Sequence, residues 1–135
     1  MLERRIEIRW RDMDAYGHVN NAVYLNFLEE ARDAWVQATV GAISDTWDFV
    51  LAHVEVDFLS ELNQNDRAVL VRCTGASVGR ASIRTREEVA KLDGTTSARA
   101  AAVIVPRDPR TARSRPLNDA ERALLEAALE PEPEA

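Results

Sequence analysis

Between Arg11 and Asn21 the chain gathers most of the side chains that could do chemistry: Asp12, Asp14, His18, Asn20 and Asn21, with Gly17 among them. Two carboxylates, an imidazole and two amides lie in one polar turn, and a long apolar-periodic segment begins directly after it. A carboxylate can attack a carbonyl carbon, or take a proton from a water that does so. The exposed N–H groups of a helix start can stabilise the oxyanion that results. Taken alone, an aspartate-rich turn before a helix ordinarily does no more than cap it. Both readings stand at this point.

The elements that must position the turn are legible from periodicity. Leu2 to Trp10 alternates, with Ile6, Ile8 and Trp10 on one side and Arg5, Glu7 and Arg9 on the other, which predicts a half-buried strand. After the turn, Val23/Tyr24, Phe27/Leu28, Ala31, Ala34/Trp35 and Ala38 recur at three- and four-residue spacing, the pattern of one helix face over Ala22 to Val40. Asn20 or Asn21 is placed as its N-cap and Gly41 as its stop. From Asp48 the period becomes two, with Val50, Ala52, Val54, Val56 and Phe58 expected on one face and Leu51, His53, Glu55 and Asp57 on the other. Further strands are predicted over Arg67 to Ser77, with a bulge at Gly75, over Ala81 to Lys91, and over Ser97 to Val105. Leu92-Asp93-Gly94-Thr95 is a hairpin signal, and alanines on one face of the last strand leave room for close packing. Arg107 to Pro116 is an arginine-rich loop, Asn118 to Glu121 caps a final helix, and the acidic tail 130–135 is expected to be disordered. The order β-α-β-β-β-β implies an α+β domain over residues 1–129, with one antiparallel sheet against one long helix.

Composition narrows the function classes. The chain has 135 residues and a formal net charge of −6, so it carries no basic footprint for nucleic acid. No run reaches membrane-spanning length and no apolar leader follows Met1, which points to a cytoplasmic protein. Cys73 is the lone cysteine and sits in an alternating apolar run, where a buried inert thiol is expected. No metal site is expected. Asp12 to Gly17 looks like the opening of a calcium loop, yet Tyr16 and Val23 occupy positions that need oxygen ligands. His18 and His53 have no neighbouring cysteine to complete a zinc set. Motifs for a serine nucleophile elbow, a P-loop or a dinucleotide fold are missing as well.

Arg11 to Trp35 resembles the signature of hot-dog-fold thioesterases of the 4-hydroxybenzoyl-CoA thioesterase-like family: a D-x-D-x-x-G-H-V-N-N turn followed by a Y-L-x-F/Y-x-E-x-A-R helix, here Tyr24, Leu25, Phe27, Glu29, Ala31 and Arg32. The likeness continues through Val54 to Leu59 and Gly79 to Ser82. It implies a five-stranded antiparallel sheet wrapped around the long helix, with the C-terminal helix added. It also implies an acyl-CoA thioesterase without a cofactor. In it Asp14 is the nucleophile or general base, and a helix amide near Asn21 stabilises the oxyanion. His18 has either a catalytic role or one of fixing the turn; plant acyl-ACP thioesterases carry a similar run, with an asparagine where Tyr16 stands. Gly17, Tyr24, Arg80 and Ser82 are the implied substrate-binding residues. Arg80, Arg110, Arg113 and Arg115 are candidates for CoA phosphates, while Glu29 and Arg32 are spaced for a local pair. Another departure is Ser60-Glu61-Leu62, where many relatives have a proline. The resemblance further implies a homodimer or homotetramer in which the strand from Asp48 to Leu59 pairs with its twin. An acyl-ACP thioesterase and a non-catalytic acyl-CoA binding module are the alternatives.

Overall fold

The computed structural model describes residues 1–134, so Ala135, the end of the tail expected to be disordered, lies outside the described residues. Its elements are β1 (Leu2–Glu7), α1 (Asn21–Val40), β2 (Phe49–Phe58), β3 (Ala68–Val78), β4 (Ile83–Lys91), β5 (Thr96–Pro106) and α2 (Asp119–Ala127). The five strands form one antiparallel sheet in the order β1-β3-β4-β5-β2. The sheet curves around α1, which packs mainly on β3, β1 and β4. This is the hot-dog arrangement. No helix among the described residues is long and apolar enough to cross a membrane.

The core follows the apolar periodicities. Tyr24, Phe27, Leu28, Ala31, Trp35, Val36 and Val40 of α1 are buried against Val69, Val71, Cys73, Ile83 and Val89 of the sheet. Asn20 is the N-cap, accepting from Ala22 N at 2.8 Å. Gly75 shows why the sheet can approach the helix so closely. A Cβ there would lie 2.6 Å from Trp35 Cζ2, and β3 bulges next to it, between Gly75 and Ser77. The bulge and the missing side chain together make a socket for the indole.

Three local expectations are corrected. β1 ends at Glu7, because Arg9 N donates to Asp12 Oδ2 at 2.8 Å and turns the chain into a short 3-10 helix; Trp10 is left 79% exposed instead of buried. In β2 a bulge between Leu51 and His53 shifts the register, so Leu51 pairs with Ile104 and Val54 with Ala102; Leu51 is exposed while Val50 is half-buried. Arg32 does not pair with Glu29. It faces the sheet and forms a buried two-pronged ion pair with Glu87 of β4, Nε to Oε2 at 2.8 Å and Nη2 to Oε1 at 2.7 Å.

The C-terminal helix is tied down by a second buried carboxylate. Glu121 is fully buried and accepts from Arg115 Nη1 and Nη2 at 2.8 and 2.9 Å, from Ser44 Oγ at 2.7 Å and from Asn118 N at 3.0 Å. Arg115 also lies over the Phe49 ring. Beyond α2, Glu130 N bonds Gly75 O at 3.1 Å. The bonds from Arg115, against the opposing cost of burial, hold the Glu121 carboxyl down at about 2 rather than 4.5. A depressed folded-state value stabilises the fold above the unfolded value, and that stability is lost as pH falls through the folded one. The stability gap between the wild type and Glu121→Gln is therefore expected to be full at neutral pH and to close between about pH 4.5 and 2. Chemical denaturation across that range reads it, and a gap independent of pH would contradict the assignment.

Candidate active site

The turn before α1 is a tight loop closed on itself. Met13 bridges Val19, Asp14 N donates to His18 O at 2.8 Å, and Gly17 N donates to Asp14 O at 3.1 Å. Gly17 has φ +79, in the left-handed region where a Cβ is strained. The loop is strapped to the rest of the chain by Val19 N on Leu62 O at 2.8 Å and Asn20 N on Asp12 O at 2.9 Å.

The two aspartates are placed differently. Asp12 is buried and consumed by structure, accepting from Arg9 N at 2.8 Å and Arg9 Nη2 at 2.9 Å. Asp14 is half-exposed, and its Oδ1 alone is held, by Tyr16 N at 2.9 Å and His18 N at 3.3 Å. Its Oδ2 has no partner among the described residues. A carboxylate fixed through one oxygen is oriented, and its other oxygen remains open for chemistry. Among the amides that start α1, Asn20 N is taken by Asp12 O, Ala22 N by the Asn20 side chain and Val23 N by Asn20 O. Asn21 N is left without a partner among the described residues, an unused donor at the positive end of the helix. Both groups belong to one loop and the helix it starts. Asp14, Gly17 and His18 line a concavity of about 860 Å³ together with Trp10, Tyr16 and Asn63.

His18 has a partner that sequence reasoning missed. Its Nε2 lies 2.7 Å from Glu61 Oε2, in the segment zipped to the loop through Leu62. Glu61 is 43 positions away, and only its occurrence where relatives carry proline set it apart. Tyr24 lies in the core, with its hydroxyl 2.9 Å from Ser97 Oγ and its ring edge-on to Phe58; burial raises its phenol above the ordinary value. It anchors the start of α1 rather than opening onto the concavity. Burial likewise pushes the Cys73 thiol up, aided by the charge of Glu87, and makes it inert. No group of three or more metal-binding side chains is gathered among the described residues.

Arg80 and Ser82 are not brought to Asp14. They lie in the β3–β4 turn, where Gly79 N bonds Ser82 O and Arg80 O accepts from Leu117 N. Asp14 adjoins the other end of the sheet, where Ile8 N bonds Arg67 O just before β3. The length of β3, 11 residues, separates the two ends by roughly 30 Å. Arg80, Arg110 and Arg113 have side chains without a hydrogen-bond or ion-pair partner among the described residues, whereas Arg115 is committed to Glu121.

The fold is that of the hot-dog proteins. The sequence model of the thioesterase-like superfamily matches residues 8–127, and the chain belongs to that superfamily. Among curated proteins it is similar to the long-chain acyl-CoA thioesterase FadM of Escherichia coli K12, with 36% identity over 66 residues, 49% of this chain and 46% of FadM. The match thus spans under half the length of that relative. Among solved structures it is similar to a thioesterase from Thermus thermophilus complexed with coenzyme A and Zn, at 32% identity and TM-score 0.83 over 94% of this chain and 92% of that one. A thioesterase-superfamily protein from Jannaschia sp. CCS1, at 22% identity and TM-score 0.84 over 95% and 92% of the two chains, shares the fold.

If the positive φ of Gly17 holds the loop open, Gly17→Ala is expected to cost about 1–2 kcal/mol and lower Tm by several degrees. Gly17→Asn should cost less, because asparagine tolerates this region better. Equal melting of all three proteins would show that the loop tolerates another backbone path.

Proposed function

We propose that the protein hydrolyses the thioester of an acyl-CoA to the free acid and CoA, with Asp14 as nucleophile or as base on the attacking water. The observation that carries this is the presence, in one loop-and-helix unit, of a carboxylate with one open oxygen and a helix-start amide with no partner among the described residues. In this reading the carbonyl oxygen rests on Asn21 N–H, and His18, oriented by Glu61, completes the polar wall. Gly17 shapes the loop, and Tyr24 holds the helix start in place. The similarity to FadM and to a CoA-bound thioesterase supports a CoA carrier. Asp14→Asn keeps size and hydrogen bonding, so the protein should fold, and kcat should fall about a hundredfold or more. Turnover of acyl-CoA at the wild-type rate by the folded variant would overturn the mechanism.

The separation of Arg80 from Asp14 supports a site shared between two copies. β2 is an edge strand of ten residues with Leu51 and Phe58 exposed, and an uncovered edge of that length invites pairing. Two β2 strands joined antiparallel about a two-fold axis bring the Arg80 end of one copy beside the Asp14 end of the other. Arg80 and Ser82 then meet the carrier of a thioester held at the other copy's Asp14, where arginine recognises phosphate. Arg80→Ala should raise KM and leave kcat nearly unchanged with CoA substrates, and have little effect with pantetheine thioesters. Refolding Asp14→Asn together with Arg80→Ala should regenerate one intact site per mixed dimer and recover activity at low substrate. No recovery from a verified mixed dimer would place Arg80 outside the shared site.

A further inference from the structure

A second opening lies along the middle of α1, on the side where the helix leaves the inner faces of β5 and β2. It encloses about 860 Å³, and its apolar walls include Val36, Phe49, Leu51 and Ile104. Arg32 also lines it, although this residue is only 5% exposed. Two of the three guanidinium nitrogens of Arg32 are spent on Glu87, whose Oε2 is further held by Thr85 Oγ1 at 2.6 Å. The third, Nη1, has no partner among the described residues. Nor is it sealed in: among the described residues, the fully buried side-chain nitrogen or oxygen without a partner is Arg107 Nε. An otherwise buried arginine therefore presents one free donor to a slot with apolar walls and a charged and polar rim that includes Glu30, Gln37 and Thr46.

We propose that this slot takes the far part of the acyl group, and that Arg32 Nη1 donates a hydrogen bond to a neutral oxygen there, a hydroxyl or a ketone. The proposal rests on the hydrolase reading above. The charge of Arg32 is matched by Glu87, so the donor is offered without net positive charge. Glu29 and Asp33 stand beside it on α1. Burial, and then Glu29, raise the Asp33 carboxyl above its ordinary value, the direction expected in a slot that resists further negative charge. Arg4 and Arg5 of β1 line the same slot, as does Glu30 of α1, so its acidic and basic side chains are equal in number. A carboxylate terminus is thus disfavoured at the donor itself, and a plain hydrocarbon would leave the N–H unpaired or strip its water. From Asn21 to Arg32 the helix rises about 16 Å, a span suited to a long acyl chain running down α1 from the proposed reaction centre.

The test compares lauroyl-CoA with ω-hydroxylauroyl-CoA in kcat/KM, and lauric, ω-hydroxylauric and ω-carboxylauric acids in calorimetric binding to the intact protein. The wild type is expected to prefer the hydroxyl over the plain chain by roughly tenfold in both measurements. Arg32→Lys keeps a cation on Glu87 but lacks the planar fork, and the preference should fall to near one. The double variant Arg32→Met/Glu87→Leu removes the buried pair as a unit, which a core often tolerates, and serves if Arg32→Lys fails to fold. Equal use and binding of plain and hydroxylated chains by the wild type would overturn the proposal. So would an undiminished preference in either folded variant, or tighter binding of the ω-carboxyl acid than of the ω-hydroxy acid. A binding preference without any thioester turnover would overturn the hydrolase reading alone.

Discussion

The buried pair of Arg32 and Glu87 is the interaction on which the rest of the structure turns. It is a charged contact between α1 and the middle of the sheet, satisfied on the carboxylate side by Thr85 as well. Removing one partner would strand a charge in the core, at a cost of about 3–5 kcal/mol. Geometry matters here more than strength. A bidentate contact fixes both the height and the rotation of the helix, while Trp35 in the Gly75 socket fixes them again a turn further along. With α1 held at these points, the direction of its first amides is set, and so is the position of the loop that ends on them.

The loop illustrates how a capping motif becomes something else. Asp12 and Asn20 do the ordinary work of starting helices, one through Arg9 and the other through Ala22. Because they satisfy the local demands, Asp14 and Asn21 are left with unspent hydrogen-bonding capacity. Such a surplus within a well-satisfied turn separates a candidate reaction centre from a mere cap, and it is visible only once each donor has been traced to its acceptor.

Much of the architecture was legible in the residues. The three-four spacing of α1, the asparagine cap, the order of strands and the glycine bulge in β3 all arise from local chemistry. What was hidden depends on contacts between distant parts of the chain. The bulge in β2 falls at Leu51-Ala52-His53, with no glycine or proline to announce it, and it breaks the strict alternation expected from Val50 to Phe58. Trp10 looked like the end of a strand because nothing local shows that Asp12 will turn the backbone back on Arg9. Glu61 beside His18 and Glu87 beneath Arg32 are tertiary pairs that no spacing rule reaches. The resemblance grouped Arg80 with Asp14, but a motif carries no information about which end of a sheet each residue occupies.

The sheet order also bears on how the chain reaches this state. Among the described residues β2 pairs only with β5, and Phe49 meets Pro106, 57 positions later. At ordinary rates of translation, β2 leaves the ribosome roughly 3–11 s before the far end of its partner. During that interval a strand of Leu51, Val54, Val56 and Phe58 has no neighbour inside its own chain. The residues between them, His53, Glu55 and Asp57, face the other way and are exposed, the arrangement by which polar and charged side chains keep a nascent strand from joining a stranger. Those side chains are thus as much a part of the synthesis of the molecule as of its finished surface.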